Sequence, residues 1–204
     1  MQIAILLYEG FTALDAIGPY QTLSPLPDAE TVFVAERPGP VRDDNGTLTM
    51  GATASYADVP APGIVVVPGG PEPDLENGPL LEWLRAADAT SVWTVSVCTG
   101  SLLLGAAGLL RGRRATSHWL ALDQLRTFGA EPTGERVVFD EKYVTAAGVS
   151  SGIDMGLALA GRIAGDAFAQ GVQLMIEYDP VPPYDAGSPE KAPAEVVRKF
   201  RQAG

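Results

Sequence analysis

Cys98 is the only cysteine in the chain. It stands where Val92-Trp93-Thr94-Val95-Ser96-Val97 gives way to Thr99-Gly100-Ser101-Leu102-Leu103-Leu104-Gly105-Ala106-Ala107. The first segment is rich in β-branched residues and reads as a strand; the second reads as a helix opening directly after the cysteine. A nucleophile on that boundary is lifted onto a tight turn, much like the elbow of hydrolase folds. The unpaired N–H groups and positive dipole end of the helix predict a thiol more easily ionised than a free cysteine. A second interpretation stands beside this one, because a lone cysteine is often only a small buried hydrophobe.

Three segments and one histidine are candidates to surround that thiol. In Val67-Pro68-Gly69-Gly70-Pro71, two glycines follow an apolar run and let backbone N–H groups approach a ligand, as an oxyanion-binding loop requires; the alternative is an ordinary Pro-Gly turn. The loop Tyr8-Glu9-Gly10-Phe11-Thr12-Ala13-Leu14-Asp15 offers two carboxylates, Glu9 and Asp15, either of which could face the thiol. Thr12 to Asp15 also fits a capping box, in which Asp15 only closes a helix end. Beside a thiolate, however, like charges would keep one member of the pair protonated, and a protonated Asp15 can donate. Thr145-Ala146-Ala147-Gly148-Val149-Ser150-Ser151-Gly152-Ile153-Asp154 is a candidate pocket wall in which Gly148 and Gly152 mainly provide space, while Ser151 and Asp154 fit another capping box. His118, the only histidine, is the natural base for a Cys–His pair. The neighbour of Cys98 is Thr99 rather than an imidazole, which favours a capping or core role for His118.

Open α/β sheets gather such residues just beyond the carboxyl ends of their strands. Residues 3–7, 31–35, 64–67 and 92–97 are apolar on both faces, the mark of a buried parallel sheet. Helical spacing runs through 14–23 and 80–87, whereas 41–50, with Asp44-Asn45-Gly46 at its centre, predicts a hairpin excursion outside the main sheet. Helices over 102–109 and 119–128, a β pair at 137–139 and 143–146, and a long small-residue helix from Ser151 complete a doubly wound domain. Asp179-Pro180-Val181-Pro182-Pro183-Tyr184 ends it, so residues 1–178 are expected to form one domain and 179–204 a Pro-rich polar tail with a short helix over 194–201.

Composition narrows the partners. A chain of 204 residues suits a single α/β domain with a sizeable core. One cysteine excludes an internal disulfide and any cysteine-built metal site, and no structural metal is expected. A formal charge of −11 opposes binding to nucleic acid or anionic membrane. The amino terminus lacks a basic region and a cleavage-site pattern, and no apolar run approaches membrane-spanning length, so a cytoplasmic location is expected.

Five segments together resemble the ThiJ/PfpI superfamily of class I glutamine amidotransferase-like proteins: the stretch from Ile5 to Pro19, Pro68-Gly69-Gly70, Ser96-Val97-Cys98-Thr99-Gly100-Ser101, Ala115-Thr116-Ser117-His118-Trp119, and Thr145 to Asp154. The resemblance runs nearly end to end. It implies a flavodoxin-like fold, a strained cysteine elbow, and a homodimer in which the first-strand loop helps build the site. Protease-like members carry histidine after the nucleophile, where this chain has Thr99, and many other branches place a glutamate near the thiol, where this chain offers Asp15. The combination of Asp15, Cys98 and Thr99 is similar to the branch that hydrates isonitriles. It implies attack by Cys98 on the terminal isonitrile carbon, a thioimidate, Asp15 acting first as acid and then as base, and no cofactor, since the substrate carbon is itself electrophilic and water is the only second reactant. Thr99 would hydrogen-bond to Asp15 or the attacking water, Gly69 and Gly70 would line the polar side, and Gly148 would border the substrate. Ile17, Tyr20, Trp119 and Val149 are candidates for an apolar pocket as well as for the core. A small-molecule or oxidation sensor, or another cysteine-dependent hydrolase or deglycase, would use the same framework.

Overall fold

The apolar runs pair with one another in the computed structural model, which describes residues 1–203. In chain order the strands and helices are β1 (Gln2–Leu6), α1 (Ala13–Leu23), β2 (Glu30–Ala35), β3 (Gly39–Arg42), β4 (Thr49–Ala52), β5 (Ala54–Ser55), β6 (Ile64–Val67), α2 (Gly78–Thr90), β7 (Trp93–Val97) and α3 (Gly100–Ala106). They continue with β8 (Arg114–Ala115), β9 (Glu131–Pro132), β10 (Val137–Asp140), β11 (Tyr143–Ala146), α4 (Ser151–Ala164), α5 (Asp166–Met175) and α6 (Ala194–Ala203). The main sheet has the order β10-β11-β7-β6-β1-β2-β5 and is parallel except for β10 against β11. This is the flavodoxin-like, doubly wound architecture that alternating strands and helices predict.

Burial explains the apolar runs. Ile3, Ala4, Ile5 and Leu6 of β1 are all fully buried, and successive side chains enter opposite layers. Ile3 and Ile5 join Val66, Val95, Ala16, Met155 and Leu159 on the α1/α4 face. Ala4 and Leu6 join Val65, Val67, Leu84 and Leu103 on the α2/α3 face. β2 departs from the expectation of burial on both faces: Thr31, Val32 and Phe33 are half-buried, because only the two-residue β5 lies beyond it.

The hairpin β3–β4 stands outside the main sheet, as the Asp44-Asn45-Gly46 turn predicts. The expected helix over 119–128 is shorter and tighter, a 3₁₀ run at Leu122–Phe128 closed by Gly129 in the left-handed region. Among the described residues, no helix is long and apolar enough to cross a membrane.

Candidate active site

The sheet order creates a crevice. From β1 the chain passes to β2 on one side, and from β6 it passes to β7 on the other, so neighbouring connections diverge at the carboxyl ends of β1 and β6. Ligands of open α/β sheets bind at such switch points. The loop from Tyr8 to Thr12, the turn Pro68-Gly69-Gly70 and Cys98 all extend from that edge.

Cys98 sits between β7 and α3 with φ at +58°, a left-handed conformation that costs a side-chain-bearing residue about 1–3 kcal/mol unless its surroundings fix it. They do fix it. Its N–H donates to the carbonyls of Ala146 and Ala147 (3.1 and 2.9 Å), and its carbonyl accepts from Ser101 Oγ and Ser117 Oγ, each at 3.1 Å. Tight passage of the elbow over β6 requires glycine at position 100, where a Cβ would lie 2.1 Å from the Val67 carbonyl oxygen.

Asp15 is fully buried on the first turn of α1. The capping-box interpretation fails for it: Thr12 makes no side-chain cap and instead donates to Asp44 Oδ2 at 2.7 Å. Asp15 Oδ2 accepts the Gly69 N–H at 3.0 Å, while Oδ1 is buried without a hydrogen-bond partner. The neighbouring Cys98 thiol favours the Asp15 carboxylate. A Cβ at Gly69 would lie 2.6 Å from both the amide nitrogen and Oγ1 of Thr99, so the Asp15 contact depends on glycine there.

Thr99 and the glycines are placed differently from expectation. Thr99 Oγ1 donates to the Gly70 carbonyl at 2.6 Å and accepts the Gly70 N–H at 2.9 Å; neither bond reaches Asp15. The N–H groups of Gly69 and Gly70 are therefore already engaged by Asp15 and Thr99, and they do not form a vacant oxyanion loop. The groups that favour a charged Cys98 sulfur are the backbone N–H groups of Thr99 and Val149, the Thr99 hydroxyl proton being committed to the Gly70 carbonyl. Val149 N–H was invisible as a donor in the sequence because a backbone amide leaves no side-chain signature. Tyr8 is a second addition: its hydroxyl donates to the Pro68 carbonyl at 3.2 Å, and its pKa is raised by burial and by the charges of Asp15 and Cys98.

Burial overrides the helix-end effect at the thiol. Cys98 is pushed up to about 12, first by desolvation and then by Asp15, against the pull of the N–H donors. The seven-residue α3 does not make this a free-standing thiolate. Burial likewise raises Asp15 to about 7, opposed by the Gly69 N–H. The pair thus holds at most a single negative charge near neutral pH, carried by Asp15, the stronger acid of the two.

The remaining candidates separate. Glu9 is exposed and faces a different cleft, beside Glu36 and Glu72. Gly148 lies against the His118 ring, and His118 Nδ1 accepts the Leu120 N–H at 3.4 Å; burial lowers its pKa, and neither Cys98 nor Asp15 contributes. Ser150 rather than Ser151 precedes α4, and Asp154 makes an ion pair with Arg136 instead of capping. Tyr20 packs on Phe33, with ring centroids 5.3 Å apart. Trp119 and Val149 line a cavity of about 580 Å³ together with Ser117, His118 and Gly148. Ala147, whose carbonyl binds the Cys98 N–H, belongs to the same lining.

The chain is similar to known proteins. Isonitrile hydratase from Pseudomonas putida is 43% identical over 204 residues, spanning 99% of this chain and 89% of that protein. The HTH-type transcriptional regulator CdhR from Pseudomonas aeruginosa is 34% identical over 134 residues, covering 64% of this chain and 40% of that protein. The crystal structure of a ThiJ/PfpI family protein from Pseudomonas syringae superposes with a TM-score of 0.96 at 40% identity, covering 99% of this chain and 85% of that one. Residues 1–162 match the DJ-1/PfpI family, and with its buried cysteine elbow at the sheet's switch point the chain belongs to that family.

Proposed function

We propose that this protein is an enzyme that hydrates isonitriles to N-substituted formamides, with Cys98 as nucleophile and Asp15 as proton carrier. The observation that carries this reading is the buried Asp15 carboxyl beside the Cys98 thiol, one oxygen held by the Gly69 N–H and the other unpartnered. Identity of 43% to an isonitrile hydratase supports it.

Ionised Asp15 takes the thiol proton as sulfur attacks the terminal carbon of R–NC, forming the S–C bond. The proton then passes from Asp15 to that carbon, giving the thioimidate R–N=CH–S–Cys98. Asp15, ionised again, removes a proton from water as oxygen adds to the same carbon, and then passes that proton to nitrogen. Asp15 then takes the hydroxyl proton of the adduct as the C–S bond breaks, releasing R–NH–CHO, and hands that proton back to the sulfur. No net proton, electron or co-reactant beyond water is required. The N–H groups of Thr99 and Val149 stabilise the charge on sulfur during attack and departure. Gly69 and the Thr99 side chain act indirectly, holding Asp15 and Gly70 in place.

The resemblance also supports a cytoplasmic homodimer, with residues 1–178 as the catalytic unit and 179–204 as an appended segment; light scattering that gives the mass of one chain would remove the dimer. The central test is formamide production from alkyl and cyclohexyl isonitriles by the unmodified protein, Cys98→Ala and Asp15→Asn. Turnover that both changes abolish is expected. Absence of turnover by the unmodified protein would overturn the assignment.

A further inference from the structure

The chain folds back after residue 185 and frames a second space beside the first. Residues 186–189, Ala192 and the Val196, Val197 and Phe200 side chains of α6 border a half-open cavity of about 280 Å³ against His118, Trp119 and Leu120, with Leu120, Val196 and Phe200 partly exposed at its mouth. The two cavities share His118, Trp119 and residues 187–189, so they adjoin one another. One end of the combined space is floored by Ala147, Gly148 and Val149, the backbone that grips Cys98. The other end is walled mainly by aliphatic and aromatic groups.

We infer that the segment from residue 186 to Phe200 forms a specificity wall, seating an uncharged, ring-sized organic group of the substrate against Trp119 while its reacting carbon meets Cys98. This subsite rests on the hydration proposed above. Volume fits the inference: an apolar cavity of about 150 Å³ suffices to hold a benzene ring, and this one is larger. Chemistry fits as well, because an isonitrile has a single compact polar end and leaves its organic group to be bound by apolar burial. Sequence beyond the matched family region, residues 1–162, thereby chooses the substrate without supplying any group to the reaction.

Two measurements test the wall. In the first, Ala192→Phe and Val197→Phe, which fill the cavity from different positions, are compared with the unmodified protein on cyclohexyl and methyl isonitrile. The ratio of kcat/KM for cyclohexyl over methyl should fall by about tenfold or more in each, as loss of apolar burial for a ring requires. A ratio within about twofold of the original in a folded variant overturns the inference. The second needs no turnover and leaves the wall intact: Cys98→Ala labelled with 5-fluorotryptophan is titrated with cyclohexyl isonitrile and followed by fluorine NMR. The Trp119 resonance should move while Trp83, buried and donating to the Val59 carbonyl, stays in place. An unmoved Trp119 signal overturns the subsite. Failure of the unmodified protein to make formamide instead overturns the catalytic proposal, so the two failures are distinguishable.

Discussion

Replacing Asp15 with asparagine separates two quantities that usually move together, thiol acidity and catalytic rate. The substitution keeps the shape of the side chain and an oxygen able to accept the Gly69 N–H, but it removes the charge that opposes ionisation of Cys98. The thiol stands at about 12 against an ordinary 9.0, with burial the larger cause and Asp15 the second. Removing that contribution should lower the thiol pKa and leave more thiolate at a given pH. An amide cannot take the thiol proton or return it to carbon, so kcat/KM should nevertheless fall by about 10²–10⁴-fold. Because Cys98 is the only cysteine, iodoacetamide uptake followed by mass spectrometry reports on this sulfur alone. Alkylation across a pH series should be faster in Asp15→Asn than in the unmodified protein, while formamide production is slower. Alkylation that is unchanged or slower would refute the electrostatic coupling. Turnover within about threefold of the original would refute Asp15 as the proton carrier.

Stability should follow the same carboxyl. Asp15 titrates at about 7 in the folded protein against 3.8 ordinarily, so folding favours the protonated form; the unfolded chain releases its proton first, and stability falls as pH rises from about 4 to 7. Asp15→Asn removes that loss and should melt above the unmodified protein at pH 8, by on the order of 2–4 kcal/mol, with little of the advantage left at pH 4; equal pH dependence of the two melting curves would refute the assignment. Thr99→Val leaves the buried Gly70 N–H without its acceptor and should destabilise the fold by about 1–3 kcal/mol in urea unfolding; no change in midpoint would show that the Gly70 turn does not depend on the hydroxyl. In the pH profile of kcat/KM, the rise centred near 7 should persist in His118→Gln, since it reports ionisation of Asp15. Disappearance of that limb would transfer the base role to His118.

Legibility followed the physical source of each feature. The central strands were readable because burial on both faces leaves uninterrupted aliphatic runs such as Ile64–Val67. The hairpin was readable from Asp44-Asn45-Gly46, whose turn chemistry is local. The 3₁₀ run at Leu122–Phe128 was not, because its side-chain spacing resembles that of a helix while packing limits it to tighter turns. At the site, the residue types were legible but their partners were not. Thr12 and Asp15 have capping-box spacing, yet tertiary contacts draw Thr12 to Asp44 and Asp15 to Gly69. The ionisation of Cys98 was misjudged because a helix end can be read from sequence, whereas desolvation depends on everything packed around the sulfur. The acceptor paired with the Gly70 N–H likewise emerges only when β6 and α3 are brought together.

The β3–β4 hairpin is tied to the β1–α1 loop at several points: Gly10 N–H donates to the Arg42 carbonyl, Asp44 N–H to the Phe11 carbonyl, and Thr12 to the Asp44 carboxylate. Asp44 also raises the pKa of Asp15 through its charge. An outlying turn, absent from the main sheet, therefore helps set how acidic the centre is. Val41 and Ala52 of the hairpin belong to the α1/α4 core layer, whereas Asp44 in its turn belongs to neither layer, so a change of charge at that one position is a natural way to retune the working pH of this fold while every reacting atom stays where it is.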